Sequence, residues 1–159
     1  MKVASILQNS LRNGEGTRLV IFFSGCSHHC KGCHNEHIWN KECGIEMSIE
    51  EILEYIKNNM PIINGVTLSG GEPFEQAKDA AMLACNVKTL GLNVWTYTGY
   101  TYEQLRIIDS LDIKVLLKST DVLVDGRFIE ELKDDTLKYR GSSNQSILKL
   151  KDGVLVDKK

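Results

Sequence analysis

Three cysteines fall within eight residues, Cys26, Cys30 and Cys33 in the run Cys-Ser-His-His-Cys-Lys-Gly-Cys. Thiolates at this spacing on one short loop can hold three irons of a cubane iron–sulfur cluster and leave the fourth iron without a protein ligand. A pure electron carrier normally closes its cluster with a fourth cysteine. An open iron therefore favours a centre that binds a cofactor or substrate directly. The same residues also allow a structural zinc knot completed by His28, His34, His37 or Cys43. Zinc ligands usually come as two separated pairs, however, and no second Cys-x-x-Cys or His-x-x-x-His pair lies at finger distance.

The elements that must position this loop alternate between strand and helix. Residues 18–24 form a continuous apolar run suited to a strand buried on both faces. Ser48 and Glu51 make a capping box for a helix over 48–60, with Ile49, Ile52, Leu53, Ile56 and Met60 on one face. Val66 to Ser69 is a second strand. An Ala-rich helix over 75–90 follows and is stopped by Gly91. Asn93 to Thr98 is a third strand, and Thr101 with Gln104 opens another helix whose apolar side includes Leu105, Ile108 and Leu111. Val122 to Val124 is a fourth strand. Asp152-Gly153 between Lys149-Leu150-Lys151 and Val154-Leu155-Val156 predicts a C-terminal β-hairpin.

On this reading the motifs share one edge. Cys26 follows the first strand, Gly70-Gly71-Glu72 the second, Thr98-Gly99 the third and Asp125-Gly126-Arg127 the fourth. In parallel α/β folds, loops past the strand C-termini converge on one concave surface where ligands bind. A closed eight-stranded barrel takes about 250 residues, so a single α/β domain over residues 1–159 is expected to form an open, partial (β/α) barrel with one unwalled side. Such a site can accept a macromolecular substrate that supplies the missing wall.

At 42% hydrophobic and 25% charged residues, the composition is that of an ordinary globular domain. No window reaches the roughly 18 apolar residues of a membrane span, and no secretory pattern opens the chain, so a cytoplasmic location without membrane contact is expected. An odd count of five cysteines, tightly clustered, favours reduced thiols over a disulfide framework. Scattered lysines and arginines with a formal charge of −2 argue against nucleic acid as a partner.

Cys-x3-Cys-x2-Cys after Leu19-Val20-Ile21-Phe22-Phe23, followed by Gly70-Gly71-Glu72-Pro73 after the next strand, resembles the radical S-adenosylmethionine family. Several further stretches are similar to the glycyl-radical-enzyme activases that serve anaerobic ribonucleotide reductase: Asn13 to Arg18, Ser24-Gly25-Cys26, Tyr97 to Tyr100, Asp125 to Phe128 and Arg140 to Gln145. The resemblance spans residues 13 to 145. It implies a [4Fe-4S] cluster on Cys26, Cys30 and Cys33, with S-adenosylmethionine chelating the open iron. One-electron cleavage of that cofactor then gives a 5′-deoxyadenosyl radical, which abstracts hydrogen from a backbone glycine of the reductase. A flavodoxin-type or similar protein would donate the electron. A compact small-molecule enzyme such as a 7-carboxy-7-deazaguanine synthase-like protein shares the cysteine loop and Gly-Gly-Glu. A binding module with a structural metal is the third reading.

The resemblance also implies cofactor contacts at Gly70, Gly71 and Glu72, where paired glycines permit close backbone approach, and at Thr98. It places adenine against Gly32, Cys33 and His34, since Gly32 stands where many relatives carry an aromatic. Arg127, following Asp125, holds either the cofactor's carboxylate or a surface ion pair. His28 and His29 read as solvated, Cys43 as a free thiol and Cys85 as a small core residue. Tyr97 and Tyr100 either pack the core or flank the site, and Arg140 to Gln145 reads as a loop.

Overall fold

A computed structural model describes residues 1–159. Eight strands form one sheet in the order β3-β1-β2-β4-β5-β6-β7-β8: β1 (Lys2–Ser10), β2 (Arg18–Phe23), β3 (Ile45–Glu46), β4 (Gly65–Gly70), β5 (Asn93–Tyr97), β6 (Val122–Asp125), β7 (Ser146–Lys151) and β8 (Val154–Lys158). The central four, β2, β4, β5 and β6, are parallel and in continuous register. β1 and β3 are added antiparallel at one side, and β7 and β8 at the other. β7 turns into β8 through Asp152 and Gly153, both at positive φ, the conformation a two-residue connection requires.

The helices are α1 (Ile49–Asn59), α2 (Ala77–Thr89), α3 (Tyr102–Ile107) and α4 (Leu111–Ser119). The predicted capping boxes at Ser48–Glu51 and Thr101–Gln104 are both formed. The sequence expectation of one helix running from Thr101 through Leu111 is corrected, because the backbone is extended at Ile108 and Ser110 caps a new helix. Leu111 is consequently exposed, and Ile113, Leu116 and Leu117 do the packing instead. The helix expected over 75–90 starts as a 3-10 turn at Pro73–Gln76. There Gln76 spends its amide on Lys2 N (2.8 Å), Lys2 O (3.0 Å) and Ser24 O (2.9 Å), tying the ends of β1 and β2 to the helix layer. Strands β1 and β3 carry no strong periodic signal. No helix is long and apolar enough to cross a membrane.

Strand alternation gives the sheet two different faces. Leu19, Ile21, Phe23, Val66, Leu68, Val94 and Leu123 share the core with all four helices, α3 contributing Tyr102 and Leu105. The intervening residues, Val20, Thr67, Trp95 and Val124, are buried on the other face, outside that core. The same face starts with Arg18, which is fully buried. Its guanidinium donates to Thr67 Oγ1 (3.0 Å), Val66 O (2.6 Å), Glu15 O (3.4 Å) and both the side-chain and backbone oxygens of Asn93, and it lies 5.6 Å from the Trp95 ring centroid. Burial pulls its pKa down to about 10, so the cation is held by neutral acceptors rather than by a touching carboxylate.

Arg18→Lys keeps the charge but loses the planar fork, leaving at least two of these acceptors unserved. The variant is expected to be less stable by roughly 2–4 kcal/mol, read as a lower urea midpoint at unchanged slope. An unchanged midpoint would show that the guanidinium network does not hold this face together.

Candidate active site

The cysteine loop is fixed by its backbone. Gly25 N donates to Ile38 O (2.8 Å), Cys26 N to Trp39 O (3.0 Å) and Cys33 N to Cys30 O (3.1 Å). Gly25 adopts φ +93°, which its lack of a Cβ permits. The Gly70-Gly71-Glu72 turn interlocks with this loop, since Gly71 N donates to Phe23 O (2.7 Å) and Glu72 N to Gly25 O (2.8 Å). A Cβ on Gly71 would lie 2.1 Å from Gly25 O. The neighbouring loop by itself thus requires glycine at 71, independently of the ligand approach expected there.

Glu72 is fully buried and joins three loops. Its Oε1 accepts from Phe74 N (3.0 Å) in its own turn. Its Oε2 accepts from Thr98 Oγ1 (3.0 Å), Gly99 N (2.8 Å) and His28 Nε2 (2.9 Å). The reading of His28 as solvated is therefore corrected: its side chain is 4% exposed and its ring meets Tyr100 edge-on at 4.5 Å. His29 is exposed and rests near Trp39.

Cys26, Cys30 and Cys33 are half-buried, unpaired and line one cavity of about 980 Å³ with His28, His34, Gly70, Gly71 and Thr98. Burial pushes the Cys26 thiol up to about 11. Burial also raises Cys30, partly offset by N–H donation from Phe128 and by the Arg127 cation. These thiols would therefore release their protons to solvent on binding iron as thiolates, as iron–sulfur ligation requires. No three His, Cys, Asp or Glu side chains converge on a single ion. That arrangement disfavours the zinc knot, whereas a cubane takes one protein thiolate per iron and needs its three cysteines apart. His28 is engaged by Glu72, and Cys43 is exposed outside the cavity. The donor set thus fits a three-cysteine cluster.

Of the other expected contacts, Gly32, Glu72, Asp125 and Arg127 lie outside the cavity lining. Gly32 is exposed, and a Cβ there would press on the Glu130 carboxylate at 2.7 Å. Asp125 turns toward α3, where its Oδ2 accepts from Tyr102 N (2.8 Å), and burial holds its carboxyl above the usual range. Arg127 is exposed. Tyr97 does reach the cavity and donates to Tyr139 O (2.8 Å), while Tyr139 packs edge-on against Trp95 at 5.3 Å. The sequence reading missed Asn35, whose amide donates to Gly70 O (3.2 Å). It also missed the lining residues Leu11, Arg12, Leu137 and Lys138, and gave Asn13 only a family likeness without a place in the site. The alternation of Thr67 and Ser69 with Val66 and Leu68 is the signal that would have exposed a polar second face. Arg140 to Gln145 braces itself: Gln145 Oε1 accepts from Gly141 N (2.9 Å) and its amide donates to Gly126 O (2.9 Å).

A profile of the 4Fe-4S single cluster domain matches residues 12–148. Proteins named anaerobic ribonucleoside-triphosphate reductase-activating protein are similar over most of the chain. That of Vibrio cholerae is 42% identical over 142 residues, covering 85% of this chain and 89% of the relative. That of Haemophilus influenzae is 35% identical over 150 residues, covering 87% and 92%. The phage T4 protein is 33% identical over 147 residues, covering 89% and 90%. Among solved structures, QueE from Escherichia coli shares the fold with a TM-score of 0.53 at 20% identity, over 63% of this chain and 52% of that one.

Gly71→Ala is expected to lower iron content and cofactor affinity together, because the added methyl displaces the Gly25 carbonyl next to Cys26. Glu72→Gln, which turns one acceptor toward N–H donors, is expected to cost about 1–3 kcal/mol and to loosen iron retention. Iron assay and urea unfolding of anaerobically handled protein test both. Full iron content in a Gly71→Ala variant that has lost only cofactor binding would return Gly71 to a ligand-contact role.

Proposed function

The chain belongs to the family of anaerobic ribonucleoside-triphosphate reductase-activating proteins and carries its 4Fe-4S single cluster domain, and from that premise we propose that it installs a glycyl radical on an anaerobic ribonucleotide reductase using S-adenosylmethionine. The single observation that carries this reading is the placement of Cys26, Cys30 and Cys33 on one rigid loop, half-buried around a cavity far larger than a cluster needs. When bound, cluster and cofactor supply one-electron chemistry that ends in hydrogen abstraction from a backbone glycine.

The chain's own residues bind, orient and shield. The three thiolates hold iron, and His28, Thr98 and Gly99 fix the loops through Glu72. Gly70, Gly71, Thr98 and His34, which line the cavity next to the cysteines, would hold the cofactor. Glu72 acts from behind this surface through its bonds to His28, Thr98 and Gly99, while Gly32, Asp125 and Arg127 lie outside it. Tyr97 lines the cavity with aromatic surface that excludes water, and Tyr139, another lining residue, packs on the buried Trp95. The sheet is read as a partial (β/α) barrel whose open side the reductase covers, with a flavodoxin-type protein as electron donor. The second reading, a small-molecule enzyme like a 7-carboxy-7-deazaguanine synthase, draws on the shared fold with QueE.

Anaerobic reconstitution is expected to load about four irons and four sulfides per chain. Replacing Cys26, Cys30 or Cys33 by Ala abolishes loading, whereas Cys43→Ala and Cys85→Ala leave it intact. Electron spin resonance of the reduced mixture with S-adenosylmethionine and reductase is expected to show a carbon-centred doublet, lost when the reductase glycine is changed to alanine. Turnover of a purine-like small molecule by this chain alone, without a protein radical, would establish the second reading instead.

A further inference from the structure

The cavity extends well beyond the cysteines. Cys26 follows the C-terminal end of β2, whereas Arg12 and Asn13 follow β1, whose last residue Ser10 pairs with Arg18 at the start of β2. At roughly 3.3 Å per residue those two ends of β2 stand about 16 Å apart. Lys138 comes to the same part of the cavity as Arg12, because the neighbouring Tyr139 packs on the Trp95 ring, and Gly14, two residues after Arg12, lies against that same ring, where a Cβ would stand 2.8 Å away. At about 980 Å³ the cavity reaches the top of the range for a single small ligand.

Its charge differs from that of the chain. Arg12, Lys138 and Arg140 line it against one acid, Asp135, while the whole chain carries a formal charge of −2. None of the three cations is in an ion pair. Arg140 Nε is also the one buried side-chain polar atom without a hydrogen-bond partner. Leu11, exposed beside Arg12, adds an apolar rim.

We infer that this remote end is the seat of an acidic stretch of the protein substrate, engaged by Arg12 and Lys138. The inference rests on the protein-substrate reading given above. Exposed, unpaired cations around a concave surface steer an anionic partner and set its register. They are free to do so here because the cysteines and the glycine turns that serve the cluster and cofactor occupy the other end.

The test is a charge-reversed double variant, Arg12→Glu with Lys138→Glu, both at exposed positions and so without consequence for folding. With full-length reductase, KM is expected to rise roughly tenfold or more at low salt, with kcat nearly unchanged and the salt dependence of activation lost. Arg12→Lys with Lys138→Arg should restore the wild-type KM. Iron content and partner-free cleavage of S-adenosylmethionine should stay at wild-type levels. A wild-type KM in the charge-reversed variant overturns the inference. So does a matching fall in partner-free cleavage, which would assign the cations to the cofactor's own carboxylate. If the wild-type protein produces no radical on the reductase, the protein-substrate reading fails and this inference with it; active wild type with an unaffected variant overturns this inference alone.

Discussion

The buried carboxylate of Glu72 is the constraint around which the site is organised. A carboxylate without water is costly unless its lone pairs are met, and here four donors meet them from three separate loops. None of those loops can move independently. If the cysteine loop drifts, His28 leaves Oε2; if the loop after β5 drifts, Thr98 and Gly99 leave it. Hydrogen bonds to an ionised group contribute more than neutral ones, so the network couples the loops more strongly than backbone packing between them would alone. Glu72 therefore shapes the cavity from behind without lining it.

The same economy separates the two faces of the sheet. Branched and aromatic side chains on one face are closed by four helices, which supplies the main hydrophobic driving force. The other face has no helix. It is held by Arg18, whose N–H groups reach from β2 to Val66 and Thr67 of β4 and Asn93 of β5 near the starts of those strands, and by Trp95 and Tyr139 above it. Hydrogen bonds on this face replace packing bulk, and what is left between the sheet and the segment 135–141 is the cavity. A sheet covered by helices on both faces would have been more apolar and would have had no room for a ligand on either face.

Much of this was legible in the sequence, and the failures have specific causes. The parallel strands, the capping boxes at Ser48 and Thr101 and the convergence of cysteine, glycine and threonine motifs at one sheet edge follow from periodicity and turn chemistry. The break at Ile108 was hidden because Leu105, Ile108 and Leu111 keep helical spacing across a chain that turns at Ser110. His28 was misjudged because its burial depends on a carboxylate 44 residues away, a separation no local pattern carries. Glu72 and Asp125 were assigned to the ligand because they sit in the right loops, yet an acid at a strand end can equally turn back to cap a neighbouring helix or turn. The remote end of the cavity escaped notice because it is assembled from the β1–β2 connection, where Asn13 to Arg18 carries a family likeness but no chemical role, and from a loop near residue 138 that has no motif.

The glycines complete the argument about rigidity. Gly71 against Gly25, Gly70 against Phe23 and Gly99 against the His28 ring are contacts that any Cβ would break. The loops consequently meet backbone to backbone, with few rotatable side chains between them, and their geometry loses little precision to side-chain motion. This matters because the cysteines are not thiolates by default: burial holds the Cys26 and Cys30 protons on. Metal binding must displace those protons, and a loop that also had to be ordered by the metal would lose binding free energy to that ordering. Because carboxylate and glycine contacts have already ordered it, three cysteines suffice, and the fourth coordination position need not be closed by protein to keep the centre in place.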